Sequence, residues 1–133
     1  MKKILLAGGG GYIGSLLTKE LTERKYDVTV VDLFWFGNYL PKNTNIIQKN
    51  VIDLKEEELK GYDAVVFMGG VSNDPMADYS PSVNFVENCA VPSYLAYMTK
   101  RAKVKRFIYA SSCSVYGYTA NKLMDETSPV SPR

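Results

Sequence analysis

The sequence predicts an α/β domain built on a doubly wound parallel sheet of about five strands. Three observations predict it: apolar runs of strand length alternate with segments of helical period, a glycine-rich turn joins the first run to the first helix, and an acid closes the second run. Lys3 to Ala7 shows no polar alternation, as expected of a strand covered on both faces. Ile13, Leu16, Leu17 and Leu21 then share one helical stripe, with Lys19, Glu20, Glu23 and Arg24 opposite. Val28 to Val31 is a β-branched run ending at Asp32, a second buried strand. Ile46 to Gln48, Ala64 to Met68 and Arg106 to Ala110 supply the third, fourth and fifth strands. Between the last two, Pro81 to Ala102 reads as one long helix with Ser80 as N-cap and Pro81 at its first position. Pro92 is expected to kink or interrupt it, because the ring removes a backbone donor and crowds the preceding turn. Gly117 to Arg133, with Pro129 and Pro132, reads as a loop.

The 133 residues, 46% hydrophobic and 23% charged, fit one soluble globular domain. Sixteen basic against fourteen acidic side chains leave a net charge of +2, too balanced for a protein that grips nucleic acid or an anionic membrane. The absence of histidine excludes Ser-His-Asp hydrolysis and histidine–zinc chemistry. Cys89 and Cys113 stand in unlike contexts and support neither a disulfide framework nor a metal site, so no metal is expected. Met1-Lys2-Lys3 and the apolar residues after it imitate a signal peptide, yet glycines follow where a cleavage site should stand. No apolar run approaches the roughly 18 residues of a membrane span. The expected setting is the reducing cytoplasm, with both thiols free.

Gly8-Gly9-Gly10-Gly11-Tyr12-Ile13-Gly14 lies between a strand and a helix, the context that gives a glycine pattern meaning. Glycine accepts positive φ and has no Cβ to hold a pyrophosphate away, so backbone N–H groups and the helix N-terminus can face an anion. Two registers are possible, Gly9-x-Gly11-x-x-Gly14 and Gly8-x-x-Gly11-x-x-Gly14. Asp32 stands 18 residues beyond Gly14, close to the roughly 20-residue spacing at which an acid accepts hydrogen bonds from an adenosine ribose. Its charge repels a 2′-phosphate, and Leu33-Phe34-Trp35-Phe36 brings no arginine to attract one, so NAD is preferred over NADP. A flavin and S-adenosylmethionine also carry an adenosine ribose, and on these residues alone both stay open. A glycine hinge and a solvated acid are the bland alternatives, and Phe34-Trp35-Phe36 reads as a packing or subunit patch.

The run Ser111-Ser112-Cys113-Ser114-Val115-Tyr116-Gly117, preceded by Val104-Lys105-Arg106-Phe107-Ile108-Tyr109-Ala110, resembles the fifth strand and catalytic serine loop of the extended short-chain dehydrogenase/reductases. These are the NAD-dependent nucleotide-sugar epimerases and dehydratases. The Gly8-x-x-Gly11-x-x-Gly14 turn, Asp63-Ala64-Val65-Val66-Phe67-Met68-Gly69-Gly70 and Asn88 match in the same order, so the resemblance covers essentially the whole chain. It implies a Rossmann sheet ordered 3-2-1-4-5 and truncated relative to the family. Residues 1–116 would form the NAD-binding domain and 117–133 a loop leading toward a catalytic helix and substrate domain. Carried over by position, Gly8, Gly10, Gly11, Tyr12, Ile13 and Gly14 would cradle the pyrophosphate and Asp32 would hold the ribose, with Leu33, Met68 and Ser111 beside the cofactor. Asn50 and Val51 stand where the family has Asp and an aliphatic residue against the adenine; asparagine keeps the hydrogen bond but not the charge. Gly69 and Gly70 replace the usual pair of alanines, where any small residue should suffice. Ser112 corresponds to the serine that hydrogen-bonds the reacting sugar oxygen, and Asn88 to an asparagine at the nicotinamide end. The bland readings are that the serines tie up loop backbone, Asn88 satisfies a buried backbone group beside Pro92, and Ser72-Asn73-Asp74-Pro75 caps a helix.

The resemblance also implies a Tyr-x-x-x-Lys pair, about one turn apart on a helix face, whose lysine lowers the tyrosine pKa from about 10 so that a phenolate can take a sugar proton. Tyr118-Thr119-Ala120-Asn121-Lys122 has the spacing but follows a glycine turn, and reads as a decoy. Asp125 to Arg133 looks like the acid-rich stretch that precedes the family's pair. The expected function is therefore the NAD-binding portion of a nucleoside-diphosphate-sugar epimerase or dehydratase, incomplete for catalysis as it stands. A stand-alone NAD-binding sensor or partner subunit and an S-adenosylmethionine domain are the alternatives. An outermost fifth strand would be an exposed apolar edge, so a homodimer or complementing chain is expected to cover it.

Overall fold

In the computed structural model, which describes residues 1–72, 74–118 and 122–132, the unalternating strand β1 (Lys3–Ala7) runs through the middle of the sheet with Leu5, Leu6 and Ala7 fully buried. It pairs in parallel with β2 (Asp27–Asp32) on one side and β4 (Ala64–Phe67) on the other. β3 (Asn45–Gln48) and β5 (Arg106–Tyr109) are the outer strands, also parallel, giving the order β3-β2-β1-β4-β5. The period of two divides the core into two layers. Leu5, Ala7, Val65 and Phe67 pack with Val91 and Leu95, while Ile4, Leu6, Val30 and Val66 pack with Leu17 and Leu21. Helix α1 (Tyr12–Glu23) therefore covers one face and the helix carrying Val91 and Leu95 the other. Strand order reverses between β1 and β4, and in such sheets ligands bind in the crevice beyond the strand ends at that point.

Between β3 and β4 the chain makes a 3-10 turn (Val51–Asp53) and a short helix α2 (Glu56–Leu59), neither of which shows enough apolar periodicity to be read from sequence. After β4 come α3 (Asp74–Tyr79) and α4 (Pro81–Phe85). Asn73, part of the expected cap, lies outside the described residues. Ser80 precedes α4 but makes no side-chain capping bond.

The expected single helix from Pro81 to Ala102 is instead α4, a π turn (Val86–Ala90) and α5 (Val91–Arg101) in unbroken succession. Its irregularity falls just before Pro92. The Val91 N–H reaches back five residues to the Val86 carbonyl, and Pro92, lacking an N–H, cannot donate to the Asn88 carbonyl four residues before it. The Tyr109 hydroxyl on β5 donates to that carbonyl at 3.3 Å.

β5 lies at the sheet margin, with Ile108 and Tyr109 44% and 46% exposed. A 3-10 turn (Cys113–Tyr116) follows, and the Ser131 N–H donates to the Val115 carbonyl at 2.8 Å, folding the chain back beside it. Among the described residues, no helix is long and apolar enough to cross a membrane.

Candidate functional site

The glycines between β1 and α1 divide their work. Gly8 has φ +77°, and a Cβ there would collide with the Gly69 backbone, so it makes the tight turn where β1 passes β4. A Cβ on Gly14 would strike the Gly9 backbone, so this position lets α1 pack close to the turn. Gly11 is different: a Cβ there would meet nothing within 4 Å, and its φ of −76° is open to any residue. Neither packing nor backbone strain requires glycine at position 11. Gly11 is also the N-cap of α1, no side chain caps the helix, and no acid stands in its first turn. The N–H groups of the first turn, which have no partner within a helix, thus face the crevice with their dipole uncompensated.

Asp32, at the end of β2, closes one side. Its Oδ2 accepts the Gly10 N–H and its Oδ1 the Phe34 N–H, both at 2.8 Å. Each oxygen keeps a second lone pair for a ligand hydroxyl. Phe34 turns back through the left-handed region, φ +55°, so its ring and the Asp32 carboxyl both press on Gly10, where a Cβ would meet them. A side chain at position 10 would have to displace one of them.

These groups share the wall of one cavity of about 700 Å³, a volume typical of ligand sites. The glycine turn supplies Gly8, Gly10, Gly11 and Tyr12; the β2 end supplies Asp32, Leu33, Phe34, Trp35 and Phe36; Asn50 and Val51 lie at the β3 end, and Gly69 and Gly70 beyond β4. Phe34, Trp35 and Phe36, the aromatic run expected as a packing or subunit patch, all line the cavity. Only Phe34 also packs against the core, whereas Trp35 and Phe36 are 77% and 88% exposed.

A family model described as the NAD dependent epimerase/dehydratase family matches residues 4–133. The chain belongs to this epimerase/dehydratase family. It is 28% identical over 134 residues to a UDP-glucose 4-epimerase of Corynebacterium glutamicum, covering 98% of this chain and 41% of that protein. It is 30% identical over 122 residues to a UDP-N-acetyl-alpha-D-glucosaminuronate decarboxylase of Bacillus cytotoxicus, covering 87% of this chain and 38% of that protein. Among solved structures, a UDP-N-acetylglucosamine 4-epimerase from Methanobrevibacter ruminantium superposes with a TM-score of 0.89 at 27% identity, over 98% of this chain and 44% of that one. An NAD dependent NDP-hexosamine 5,6-dehydratase of tunicamycin biosynthesis gives 0.86 at 29%, over 100% and 44%. The chain thus spans about two fifths of the length of these relatives, their N-terminal part.

Against the epimerase/dehydratase pattern, the cavity brings together Gly8, Gly10, Gly11, Tyr12, Asp32, Leu33, Asn50, Val51, Gly69 and Gly70. The other expected positions stand off its wall, each with a local role. Gly14 is a packing glycine whose carbonyl accepts the Thr18 hydroxyl at 2.7 Å, Ile13 is exposed, and Met68 packs on the α1-side core. Ser111 is exposed, and Ser112 caps the following 3-10 turn by accepting the Ser114 N–H at 3.1 Å. Asn88 spends its amide on the loop after β4: Oδ1 accepts the Val71 N–H at 2.9 Å and Nδ2 donates to the Val71 carbonyl at 2.8 Å. That clasp corrects the expectation that any small residue suffices at both positions after β4. Gly69 would place a Cβ in ordinary contact with Gly8, at 3.5 Å. Gly70 has φ +122°, and its Cβ would run into the Asn88 amide oxygen, so alanine is excluded there. Tyr118 is 78% exposed, and residues 119–121 between it and Lys122 lie outside the described residues. Sequence reading missed Ser15, Gly37, Tyr39, Lys49, Phe67, Val71, Val83 and Glu87 on the wall. Ser15, Lys49, Val71 and Glu87 carried one signal, adjacency in the chain to Gly14, Asn50, Gly70 and Asn88.

Proposed function

We propose that this chain is the NAD-holding portion of a nucleoside-diphosphate-sugar epimerase or dehydratase. One observation carries the reading: Gly11, where neither packing nor φ requires glycine, sits at the uncapped N-terminus of α1 in the same cavity as Asp32. That arrangement suits a dinucleotide. The pyrophosphate would lie against Gly11 and the first-turn N–H groups of α1, where the helix dipole favours negative charge. The adenosine ribose would donate its hydroxyls to the free lone pairs of Asp32, with the adenine beside Asn50 and Val51. Gly10 and Phe34 fix the carboxylate through its other lone pairs, so it meets the ribose without reorganising. Phe34, Trp35 and Phe36 wall that end against water. NAD, when bound, supplies reversible hydride acceptance from a sugar carbon.

Ser112 is the residue of this chain assigned to the sugar oxygen, and the Ser114 N–H it accepts orients its hydroxyl oxygen. Tyr118 and Lys122 are assigned no part in proton transfer. The nucleoside-diphosphate sugar would bind beyond the open end of the cavity, with protein outside residues 1–133 or a second chain contributing to its site. The cytoplasm is the compartment in which such a protein would meet both compounds.

Calorimetric titration with NAD, followed by a UDP-sugar on the NAD-loaded protein, tests the proposal. NAD binding, lost in Asp32→Ala, is the expected result. No heat at millimolar NAD, or binding of S-adenosylmethionine in its place, would overturn it. Turnover abolished by Tyr118→Phe would overturn the assignment of Tyr118.

A further inference from the structure

Asp32 is not the only charge at the ribose end of the cavity. Lys49 lines the same wall and is its one cationic residue among those described. Its N–H donates to the Asp32 backbone carbonyl at 3.2 Å, which fixes its backbone beside the end of β2. Its ammonium does not stand free there: Nζ donates to Glu58 Oε1 on α2 at 2.7 Å. Glu58 is itself held, since Oε2 accepts the Lys55 N–H at 2.9 Å in a capping box. The Lys49 and Glu58 side chains are 31% and 30% exposed, so water screens the pair less than it would a pair on the open surface.

We infer that Glu58 is a second determinant of cofactor choice, acting as a positioning residue that ties up Lys49 and keeps the ribose end of the cavity net negative. The inference rests on the reading of Asp32 as the ribose acid. A 2′-phosphate on that ribose would arrive beside Asp32, within the field of Lys49. With Glu58 present, Asp32, Lys49 and Glu58 sum to one negative charge, and the cation already has its anion. Removing the charge on Glu58 brings the set to neutrality and releases an ammonium on a flexible stem that can turn toward a phosphate. The chain therefore holds a latent 2′-phosphate partner that Glu58 disarms. Glu58→Gln is the change that exposes it, with Asp32 untouched.

The only tryptophan, Trp35, lies on the cavity wall, so its fluorescence reports binding. NAD and NADP are titrated into the wild-type protein, Glu58→Gln, and Glu58→Gln with Lys49→Ala, each checked for its fold by circular dichroism. The expected result is an NADP affinity raised about three- to tenfold in Glu58→Gln, NAD affinity within about twofold of wild type, and loss of the gain in the double variant. Unchanged NADP affinity in folded Glu58→Gln, or a gain that survives Lys49→Ala, would overturn the role of Glu58. Should Glu58→Gln not fold, Lys49→Ala alone decides: the inference expects NADP affinity within about twofold of wild type, because Lys49 is already occupied, and a larger fall overturns it. Failure of the wild type to bind NAD would instead overturn the cofactor reading beneath it.

Discussion

Gly8, Gly11 and Gly70 show at single-residue scale that a glycine's meaning depends on what surrounds its missing Cβ. Gly8 and Gly70 are needed by the fold, through positive φ and through the Gly69 backbone and the Asn88 amide. Gly69, beside them, is not. Gly8→Ala and Gly70→Ala are each expected to cost more than about 2 kcal/mol, and Gly69→Ala less than about 1, in urea unfolding. Equal costs at Gly69 and Gly70 would contradict the geometry. The sequence could not separate these positions, because a glycine run shows which residues are small and not which have positive φ. Asp32 was legible for the opposite reason: strand end, spacing and charge all appear in the linear pattern. Lys49 and Glu58 were not, since they lie on different elements and meet only when β3 and α2 are folded together.

At the scale of elements, all five strands were legible to within a residue or so at each end: β1, β2 and β4 because a strand buried on both faces needs a run of apolar residues, and the more exposed outer strands β3 and β5 because their short β-branched and aromatic runs favour extended backbone. The helical segment after β4 was legible in extent but not in form. Pro92 announced an irregularity, and the chain accommodates it by widening the preceding turn to a π turn, which also carries Asn88 to the Val71 backbone. Asn88 thereby clasps the loop that borders the cavity. Asn88→Ala, which leaves the Val71 N–H and carbonyl without these partners, should destabilise the protein by about 1–3 kcal/mol. Hydrogen exchange should accelerate at Val71 while β1 and β2 stay protected. Acceleration spread evenly over the sheet would refute a local clasp. The short helix α2 escaped sequence reading because three successive glutamates carry no apolar period, yet Leu59 at its end is fully buried.

For the whole molecule, charge and cavity act together. The Lys49 hydrogen bond, followed by the Lys55 N–H, holds the Glu58 carboxyl below its ordinary pKa. A carboxylate depressed in the folded state adds stability above its unfolded pKa and loses it as pH falls through the folded value. The stability advantage of the wild type over Glu58→Gln should therefore be full near neutral pH and shrink as acid enters and passes below the carboxylate range, as read by urea unfolding. An advantage that stays constant into acid would show that the pair does not titrate as described. The central claim, however, is that the crevice where the strand order reverses is a dinucleotide cradle. Gly11 isolates that claim from folding, because a methyl group there meets no protein atom. Equilibrium dialysis of NAD against the wild type and Gly11→Ala is the most direct test. Near wild-type thermal stability with NAD affinity reduced at least about tenfold is the predicted result; an alanine variant that binds NAD as tightly as the wild type would contradict it.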